Sequence, residues 1–271
     1  MGRPEAEVRV AGCGRIHRGG VGASAEQHRF LAAAYDPITF ARLARTGVRR
    51  GWRCLEVGAG GGSVAHWLAA RVAPPGTVLA TDLEPRFVPP ARGLTVTRHD
   101  LARDPLAERE FDLVHARLVL RQLPNREDVL RRLVRALKPG GWLQVDEFDN
   151  DYAPVLLAPD RNSAALYEEY LAARDRMFSA AGVDHTWGRK VARAMTAAGL
   201  VDVDPMPVVQ PWTSGSPAVR LLRLHTVELR DPLVAEGMND DKLAAVRAVL
   251  DDDRFRASSS VFYSVLGRRP T

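Results

Sequence analysis

The feature that most constrains this chain is the segment Arg53–Ala70, RCLEVGAGGGSVAHWLAA. A short apolar run, Cys54–Val57, predicts a buried strand, and it breaks into the glycine-rich turn Gly58–Gly62. A helical pattern resumes at Ser63. Glycines let the backbone turn sharply and approach a ligand closely, and the following helix directs its first amide groups at the same place. Strand, glycine turn and helix together predict the nucleotide-binding opening of an α/β sheet.

Strands and helices alternate through the first half of the chain, which predicts parallel βαβ units. The further strands are predicted at Thr77–Ala80, Leu94–Thr97, Phe111–His115 and Trp142–Val145, with a long amphipathic helix at Asn125–Lys138. Right-handed crossovers bring the carboxyl ends of parallel strands to one edge of the sheet. The polar residues expected beside the glycine turn at that edge are Asp82, Asp100, His115 and Asp146–Asp149.

The pattern changes after Asp151, where prolines interrupt residues 153–159. Helices are predicted at Arg161–Ala180, Trp187–Ala198, Ser216–Arg230 and Asp240–Leu250, and strands at Leu200–Val209 and Ser259–Gly267. The first of these helices follows the fifth strand, so it is expected above the sheet edge. We therefore predict an α/β fold: a doubly wound, mostly parallel seven-stranded sheet in a single domain over 25–271. Helical cap insertions are expected at about 151–182 and 211–258.

The N-terminal region divides into a tail and two predicted helices. Residues 1–24 have no period and are rich in glycine and arginine, so we expect a mobile tail. A helix is predicted at Ala25–Tyr35. Asp36 and Pro37 then have the pattern of an N-cap and a first helical residue, which predicts a second helix at Pro37–Thr46. Tyr35 would lie at the joint, where it could contact a substrate.

Composition narrows the classes of partner. The formal charge is +5 over 271 residues, and the arginines are scattered rather than blocked, which argues against a nucleic-acid groove. No apolar run approaches a membrane span, and we expect no membrane association. The two cysteines, Cys13 and Cys54, have neither disulfide nor metal-ligand spacing, which favours a cytoplasmic location and no metal.

Two kinds of cofactor fit the residues themselves. Asp82 ends the second strand, where a carboxylate can accept hydrogen bonds from the two hydroxyls of a ribose. Asp100 follows the third strand and could accept the amine of an adenine. The register Gly60-x-Gly62-x-x-Ala65 also satisfies the dinucleotide pattern, although it starts far past the strand. A nicotinamide dinucleotide and another adenosine cofactor therefore both remain open on spacing alone.

Several motifs in order resemble the class I S-adenosylmethionine-dependent methyltransferases. Glu56-x-Gly58-x-Gly60-x-Gly62 matches the first motif of that family, and Asp82 and Asp100 stand where its second and third strands end. The segments FDLVHARLVLRQLP and LKPGGWLQVDEFD are similar to its fourth and fifth motifs, and VFYSVLGRR to its antiparallel last strand. The resemblance covers about 51–149. It implies S-adenosylmethionine as cofactor and methyl transfer as activity.

The resemblance also implies a cofactor site. Its residues are Glu56, Gly58, Ala59, Gly60, Gly62, Ser63, Asp82, Leu83, Asp100, Leu101, His115 and Ala116. In it the glycine backbone would face the methionine part, Asp82 would hold the ribose and Asp100 would bind the adenine amine. Leu83 would pack on the adenine. His115 and Ala116 would flank the sulfonium. Relatives with this fourth motif carry His where this chain has Gln122, which argues against a borrowed base role there.

The acceptor is expected to be a small or medium organic molecule, methylated at O, N or C, as in natural-product tailoring. The motif used on flipped bases is absent after the fourth strand, where His115–Leu118 stand, which argues against nucleic acid. Candidate substrate residues are Tyr35, Arg121, Glu147, Trp187 and His225, and His185 is the candidate proton acceptor. A cyclisation or other rearrangement in the same pocket, an NAD-dependent oxidoreductase, a non-enzymatic sensor and a homodimer all stay open.

Overall fold

The computed structural model describes residues 21–271, with side chains from residue 25. The tail expected at 1–24 therefore lies outside the described residues up to position 20, while residues 21–24 already belong to a helix. The strands are β1 (Arg53–Val57), β2 (Thr77–Asp82), β3 (Leu94–Arg98), β4 (Phe111–Arg117), β5 (Leu137–Asp149), β6 (Val155–Leu157), β7 (Val201–Val208), β8 (Pro211–Thr213), β9 (Arg256–Ser258) and β10 (Val261–Arg268). The helices are α1 (Val21–Ala44), α2 (Ser63–Val72), α3 (Arg126–Ala136), α4 (Arg161–Ala180), α5 (Trp187–Ala197), α6 (Pro217–Glu228), α7 (Arg230–Ala235) and α8 (Asp240–Asp251).

Seven strands form one sheet in the order β3-β2-β1-β4-β5-β10-β7. The first five pair in parallel, and β10 runs antiparallel to both β5 and β7. The order reverses between β1 and β4, and the carboxyl ends of these two strands flank the switch point at which α/β sheets bind ligands. The predicted class, an α/β fold with a doubly wound, mostly parallel seven-stranded sheet, is confirmed.

Helices cover both faces of this sheet because the central strands are apolar on both sides. One face packs against α1 and α2, where Leu43 and Leu68 contact the core around β1 and β2. The other packs against α3 and α5, where Leu133 and Val191 lie in the core of β4 and β5. This layering fixes the sheet rigidly beneath the edge that carries the candidate site.

A cap stands at one end of the sheet and contains a third apolar core, formed mainly by α1, α4, α6 and α8. A small antiparallel sheet in the order β6-β9-β8 joins its segments. The sequence analysis expected irregular chain at 153–159, and this sheet was not anticipated. Each of its strands has three residues, which is too short for an alternating pattern to be recognised.

The helix break expected at Asp36 and Pro37 is wrong, because α1 continues through Pro37. Asp36 does not cap a second helix. Its carboxylate instead accepts hydrogen bonds from the Arg117 guanidinium at 2.8 Å and from the Ser63 hydroxyl at 3.0 Å. Tertiary contacts on both sides of the proline therefore outweigh the local preference for a break. Tyr35 consequently lies within a helix, not at a joint.

Other boundaries differ by a few residues. β5 begins at Leu137, inside the helix predicted to reach Lys138, because Leu137 pairs with Phe111 across a β-bulge. β4 continues two residues beyond the predicted end, to Arg117. The helix predicted at Ser216–Arg230 divides into α6 and α7. Among the described residues, no helix is both long and apolar enough to cross a bilayer.

Candidate functional site

A cavity of about 410 Å³ opens at the carboxyl ends of β1, β2, β3 and β4. It lies at the switch point of the strand order, and the glycine turn after β1 forms one of its walls. The predicted cofactor residues that line it are Glu56, Gly58, Ala59, Gly60, Ser63, Asp82, Leu83, Asp100 and Leu101. The tertiary structure thus brings together residues that lie at or just after the ends of β1, β2 and β3.

Close approach of backbone and side chains explains the glycines of this wall. Gly58 has φ +65°, and a Cβ there would lie 2.3 Å from Cγ2 of Val119. Gly62 does not line the cavity. It has φ +82° and begins α2, and a Cβ there would lie 2.8 Å from Cγ1 of Val88. Both positions therefore require glycine for conformation and for space.

The Asp82 carboxylate connects the glycine turn to the end of β2. It accepts hydrogen bonds from the amide of Gly60 at 2.8 Å and from the amide of Glu84 at 2.9 Å. A carboxylate offers about four lone-pair sites, so two acceptor positions stay available for a ligand. The side chain predicted to bind a ribose thus also holds the turn in shape.

Asp100 is arranged in a similar way after β3. Its carboxylate accepts a hydrogen bond from the Ala102 amide at 3.0 Å, and its own amide donates to the Asp104 carboxylate at 2.7 Å. The Arg103 guanidinium lies 3.8 Å from the same carboxylate. Asp100 and Leu101 are therefore presented to the cavity by a tight turn that their own neighbours stabilise.

The first turns of α1 form a wall that the sequence analysis did not anticipate. Gln27, His28 and Leu31 line the cavity. The ring of His28 lies against the glycine turn, 3.0 Å from where a Cβ of Gly60 would stand, and packs edge-on against Phe87 with centroids 5.4 Å apart. In the sequence, the four-residue spacing of Gln27 and Leu31 indicates only that they share one face of a helix. No local pattern indicates that this face meets the glycine turn.

The end of β4 and the chain after it supply the facing wall, with Arg117, Leu118, Val119 and Gln122. Leu118 has φ +58°, an uncommon value for a residue with a side chain. Its amide donates to the Asp146 carbonyl at 2.9 Å, and its carbonyl accepts a hydrogen bond from the Gln122 side chain. Gln122 therefore supports this left-handed residue, which directs the chain across the cavity.

His115 and Ala116 lie in the sheet below the cavity and not in its wall. Because β4 continues to Arg117, the cavity wall on this side is formed by Arg117 and the residues after it. His115 is fully buried. Its Nδ1 lies 2.7 Å from Glu56 Oε2 and its Nε2 3.3 Å from Asp146 Oδ2.

Burial and mutual contacts shift the pKa values of the buried triad Glu56, His115 and Asp146. Burial opposes the charge of the His115 imidazole, but Glu56 and Asp146 outweigh it and raise the pKa of His115 to about 9. Burial raises the pKa of Glu56. The pKa of Asp146 is lowered despite its burial, because three groups donate hydrogen bonds to its carboxylate. These are the His115 imidazole and the hydroxyls of Ser264 and Thr39, and both hydroxyls lie 2.6 Å from the carboxylate. The triad thus connects Glu56, in the floor of the cavity, to the interior of the sheet.

The residues proposed for the substrate occupy several environments, none of them in the wall of this cavity. Tyr35 is buried and stacks on Phe262 with centroids 4.7 Å apart. Trp187, the first residue of α5, packs in the core of β4 and β5, and His225 is buried on α6. The arrangement places Tyr35 and His225 in the cap and Trp187 in the body of the sheet.

Arg121, in the turn after β4, lies beside Glu147 of β5. The carboxylate of Glu147 is fully buried and accepts a hydrogen bond from the Arg121 amide at 3.2 Å. Burial raises the pKa of Glu147 to about 7. The Arg121 guanidinium lies over the ring of Phe148, 5.8 Å from its centroid.

His185 lies in the loop before α5. Its side chain is 35% exposed, its Nδ1 lies 3.2 Å from the Ser179 hydroxyl and its Nε2 lies 3.6 Å from the Asp151 carboxylate. His185 does not line the cavity. Across residues 21–271, no group of His, Cys, Asp and Glu side chains is arranged to hold a metal ion.

Comparison with known proteins identifies the same region. A family model described as "Methyltransferase domain" matches residues 55–143. The chain is 39% identical over 103 residues to methyltransferase str2 of Strobilurus tenacellus, covering 36% of each chain. It is 30% identical over 135 residues to the ubiquinone/menaquinone biosynthesis C-methyltransferase UbiE of Ectopseudomonas mendocina, covering 46% of this chain and 50% of that protein.

Residues 55–143 therefore match a methyltransferase domain. The aligned region contains the glycine turn, both acidic residues and the fourth strand, which line the cavity together with α1. Among solved structures, phosphoethanolamine N-methyltransferase 2 of Haemonchus contortus shares this fold, with a TM-score of 0.53 and 16% identity over 86% of this chain and 52% of that one. The chain spans between about a third and a half of the length of the two curated relatives described above.

Proposed function

We propose that this protein binds S-adenosylmethionine in the 410 Å³ cavity and transfers its methyl group to a small or medium organic molecule. The observation that carries the proposal is the convergence of a sterically required glycine turn with Asp82 and Asp100 in one cavity. The methyltransferase domain match over residues 55–143 supports the same reaction.

The residues present fit the cofactor. A side chain at Gly58 would not fit between the turn and Val119, so the backbone itself can face the ligand. Asp82 has acceptor positions left for two ribose hydroxyls, and Asp100, whose carboxylate lines the same cavity, would accept the adenine amine. Leu83 and Leu101 provide the apolar surfaces that an adenine ring needs.

The cofactor supplies an electrophilic methyl group on a sulfonium, so the protein mainly positions the nucleophile and excludes water. Gln27, His28 and Leu31 of α1 close one side of the cavity, and Arg117 and Leu118 close another. The helices of the cap stand next to these walls. A base is required only when the acceptor must lose a proton, and we assign none.

The cap also favours a small acceptor, since Leu31 of the cavity wall packs against the apolar core of the cap, which therefore borders the cavity. A substrate of natural-product type, a cytoplasmic location, the absence of a nucleic-acid partner and a homodimer stay predictions. The free and buried thiol of Cys54 is compatible with a reducing compartment.

The experiment is a calorimetric titration of the purified chain with S-adenosylhomocysteine and, separately, with NAD. We expect binding of the first and none of the second. Incubation with methyl-labelled S-adenosylmethionine and a small-molecule extract should then give a labelled product and an equal amount of S-adenosylhomocysteine. Turnover without S-adenosylhomocysteine would indicate a rearrangement, and binding of NAD alone would contradict the assignment.

A further inference from the structure

The buried triad lies beneath the proposed cofactor cavity and has no role in it so far. It consists of Glu56, His115 and Asp146 on the neighbouring strands β1, β4 and β5. Glu56 lines the cavity, whereas His115 and Asp146 are fully buried behind it. The His115 Nδ1 lies 2.7 Å from Glu56 Oε2, and its Nε2 lies 3.3 Å from Asp146 Oδ2. The triad therefore reaches from the cavity floor into the interior of the sheet.

The two contacts of the imidazole fix the charge of the triad. An ionised carboxylate only accepts hydrogen bonds, so each contact requires one proton between nitrogen and oxygen. Two protons shared by one imidazole and two carboxylates leave one net negative charge, whichever atom holds each proton. Although burial opposes the charge of the imidazole, the two carboxylates raise the pKa of His115 to about 9, so this state holds at neutral pH.

The side chains packed around Asp146 are neutral donors. Its carboxylate accepts hydrogen bonds from the hydroxyls of Thr39 on α1 and Ser264 on β10, each at 2.6 Å. The side-chain amide of Gln144 on β5 lies 3.1 Å from the same carboxylate. These groups stabilise the carboxylate without supplying a positive charge.

Two arginines near the triad already have carboxylate partners. The Arg117 guanidinium at the end of β4 lies 2.8 Å from the Asp36 carboxylate of α1. The Arg42 guanidinium lies 3.0 Å from the Asp204 carboxylate, which the exposed Arg45 also contacts at 3.2 Å. Charges exposed at the surface, such as that of Arg45, are screened by water and salt. These cations therefore do not neutralise the triad.

Other ionisable groups in this part of the fold have separate partners. On β5, Glu147 accepts the Arg121 amide at 3.2 Å. On α2, the His66 ring lies 2.6 Å from the Gly62 carbonyl, and at the end of β2 the Asp82 carboxylate accepts two backbone amides. None of these three side chains is hydrogen-bonded to the triad. Across residues 25–271, the negative charge of the triad is therefore open to compensation from the cavity side.

A ligand with net positive charge would compensate the triad. Attraction between opposite charges is strong where burial excludes water. The proposed methyl donor carries a sulfonium and an ammonium against one carboxylate, which makes it a cation. When its methyl group bonds to the acceptor, the electron pair of the broken S–C bond stays on sulfur, so the product is neutral overall. The cavity thus holds a cation before transfer and a neutral molecule afterwards.

We propose that the buried triad makes the cavity select the cationic methyl donor over its neutral product. His115 and Asp146 are then specificity-determining residues that act through Glu56, and they take no part in the chemistry of transfer. The inference rests on the proposed function, because that function supplies the two ligands to be distinguished. Loss of the positive charge on transfer weakens the attraction to the triad and favours release of the product.

The first test uses the wild-type chain and measures the pKa of His115 by NMR titration. Its imidazole is labelled with carbon-13, and its signal is assigned by correlation with its backbone resonances. The pKa is compared between the complexes with S-adenosylmethionine and S-adenosylhomocysteine. Because a cation in the cavity disfavours a charged imidazole, we expect a lower His115 pKa in the donor complex. His185, which lies outside the cavity, is the internal control and should titrate alike in both.

The second test compares affinities at pH 6, where a histidine held by a carboxylate and the ammonium of both ligands are charged. Calorimetry gives the Kd of each ligand for the wild type and for Asp146→Asn, which retains the shape of the side chain without its charge. We expect the ratio of the product Kd to the donor Kd to fall about tenfold in the variant. Contacts of the methyl group itself are common to both chains and cancel in this comparison.

The matched control is Asp149→Asn. Asp149 is also a buried carboxylate of β5, but it pairs with Arg189 and does not line the cavity. A merely structural role of Asp146 would weaken both ligands equally and leave the ratio unchanged. The proposal is therefore overturned by an unchanged ratio, by an equal fall in Asp149→Asn, or by a His115 pKa that is not lower in the donor complex.

Two further outcomes are distinguishable. If thermal unfolding shows that Asp146→Asn does not fold, the wild-type titration of His115 decides alone. If the proposed function is wrong, the wild type binds neither S-adenosylmethionine nor S-adenosylhomocysteine, and the inference falls with it. Binding of both ligands with equal His115 pKa values would instead overturn the inference and leave the proposed function standing.

Discussion

Replacing Asp82 separates two roles that the structure gives to one carboxylate. The side chain accepts the amides of Gly60 and Glu84 at 2.8 and 2.9 Å, and we propose that it also accepts two ribose hydroxyls. Hydrogen bonds to a charged group contribute about 1.5–3 kcal/mol each. Loss of both ribose bonds in Asp82→Ala should therefore weaken S-adenosylhomocysteine binding by about 3 kcal/mol or more, roughly 100-fold or more in Kd.

The same substitution also frees two backbone amides of the turn. Asp82→Ala should therefore lower the melting temperature of the ligand-free chain, by about 2–4 °C for each kcal/mol lost in a chain of this size. Asp82→Asn retains one acceptor oxygen and replaces the other by a donor. We expect it to show an intermediate loss of about tenfold in affinity, because one of the two turn amides keeps its partner.

Calorimetric titration with S-adenosylhomocysteine and thermal unfolding without ligand distinguish the two roles. Asp252→Ala is the matched control, since Asp252 accepts the Arg254 amide at 2.8 Å in an equivalent local turn far from the cavity. It should leave the affinity unchanged. If Asp82→Ala lowered the melting temperature but left the affinity within about twofold of the wild type, the carboxylate would only brace the turn and the ribose assignment would be wrong.

Three further substitutions test the site. The pKa of His115 is raised from 6.5 to about 9. The stability that its carboxylate partners provide is therefore fully present below pH 6.5 and declines as the pH rises to 9. His115→Gln should remove this decline, which is on the order of 3 kcal/mol in the free energy of unfolding measured with denaturant. Gly58→Ala should destabilise the chain by about 1–3 kcal/mol and weaken S-adenosylhomocysteine binding. Adding Val119→Ala should restore only part of the stability, because it removes the clash but leaves residue 58 at φ +65°. His185→Gln should keep the rate of methyl transfer within about threefold, and a loss of about 100-fold or more would instead support a base at this position.

The parts of the site that lie close together in the sequence could be predicted from it. Gly58 and Gly62 are recognisable because a strand, a turn and a helix follow one another without interruption, and Asp82 because it ends the next strand. These positions are set by local backbone geometry, which the order of residues expresses directly. The central sheet followed from the same alternation of apolar runs and helical patterns.

Contacts between distant segments could not be predicted in this way. His28 covers a glycine turn about thirty residues away, and Arg117 of β4 binds Asp36 of α1. The continuous helix through Pro37 and the small sheet of the cap depend on similar long-range contacts. Nothing in the local composition marks these residues, because their energies come from partners that only the folded chain brings near.

The sequence by itself determined the order of the βαβ units, the glycine turn and the two acidic residues at strand ends, because each depends on neighbouring residues and on the handedness of crossovers. Only the tertiary structure decided that Asp82 braces the turn it serves, and that His115 is a buried link between Glu56 and Asp146. The physical reason is that burial and hydrogen-bond partners belong to the packed chain, and they set both the charge of a side chain and the ligand that can satisfy it.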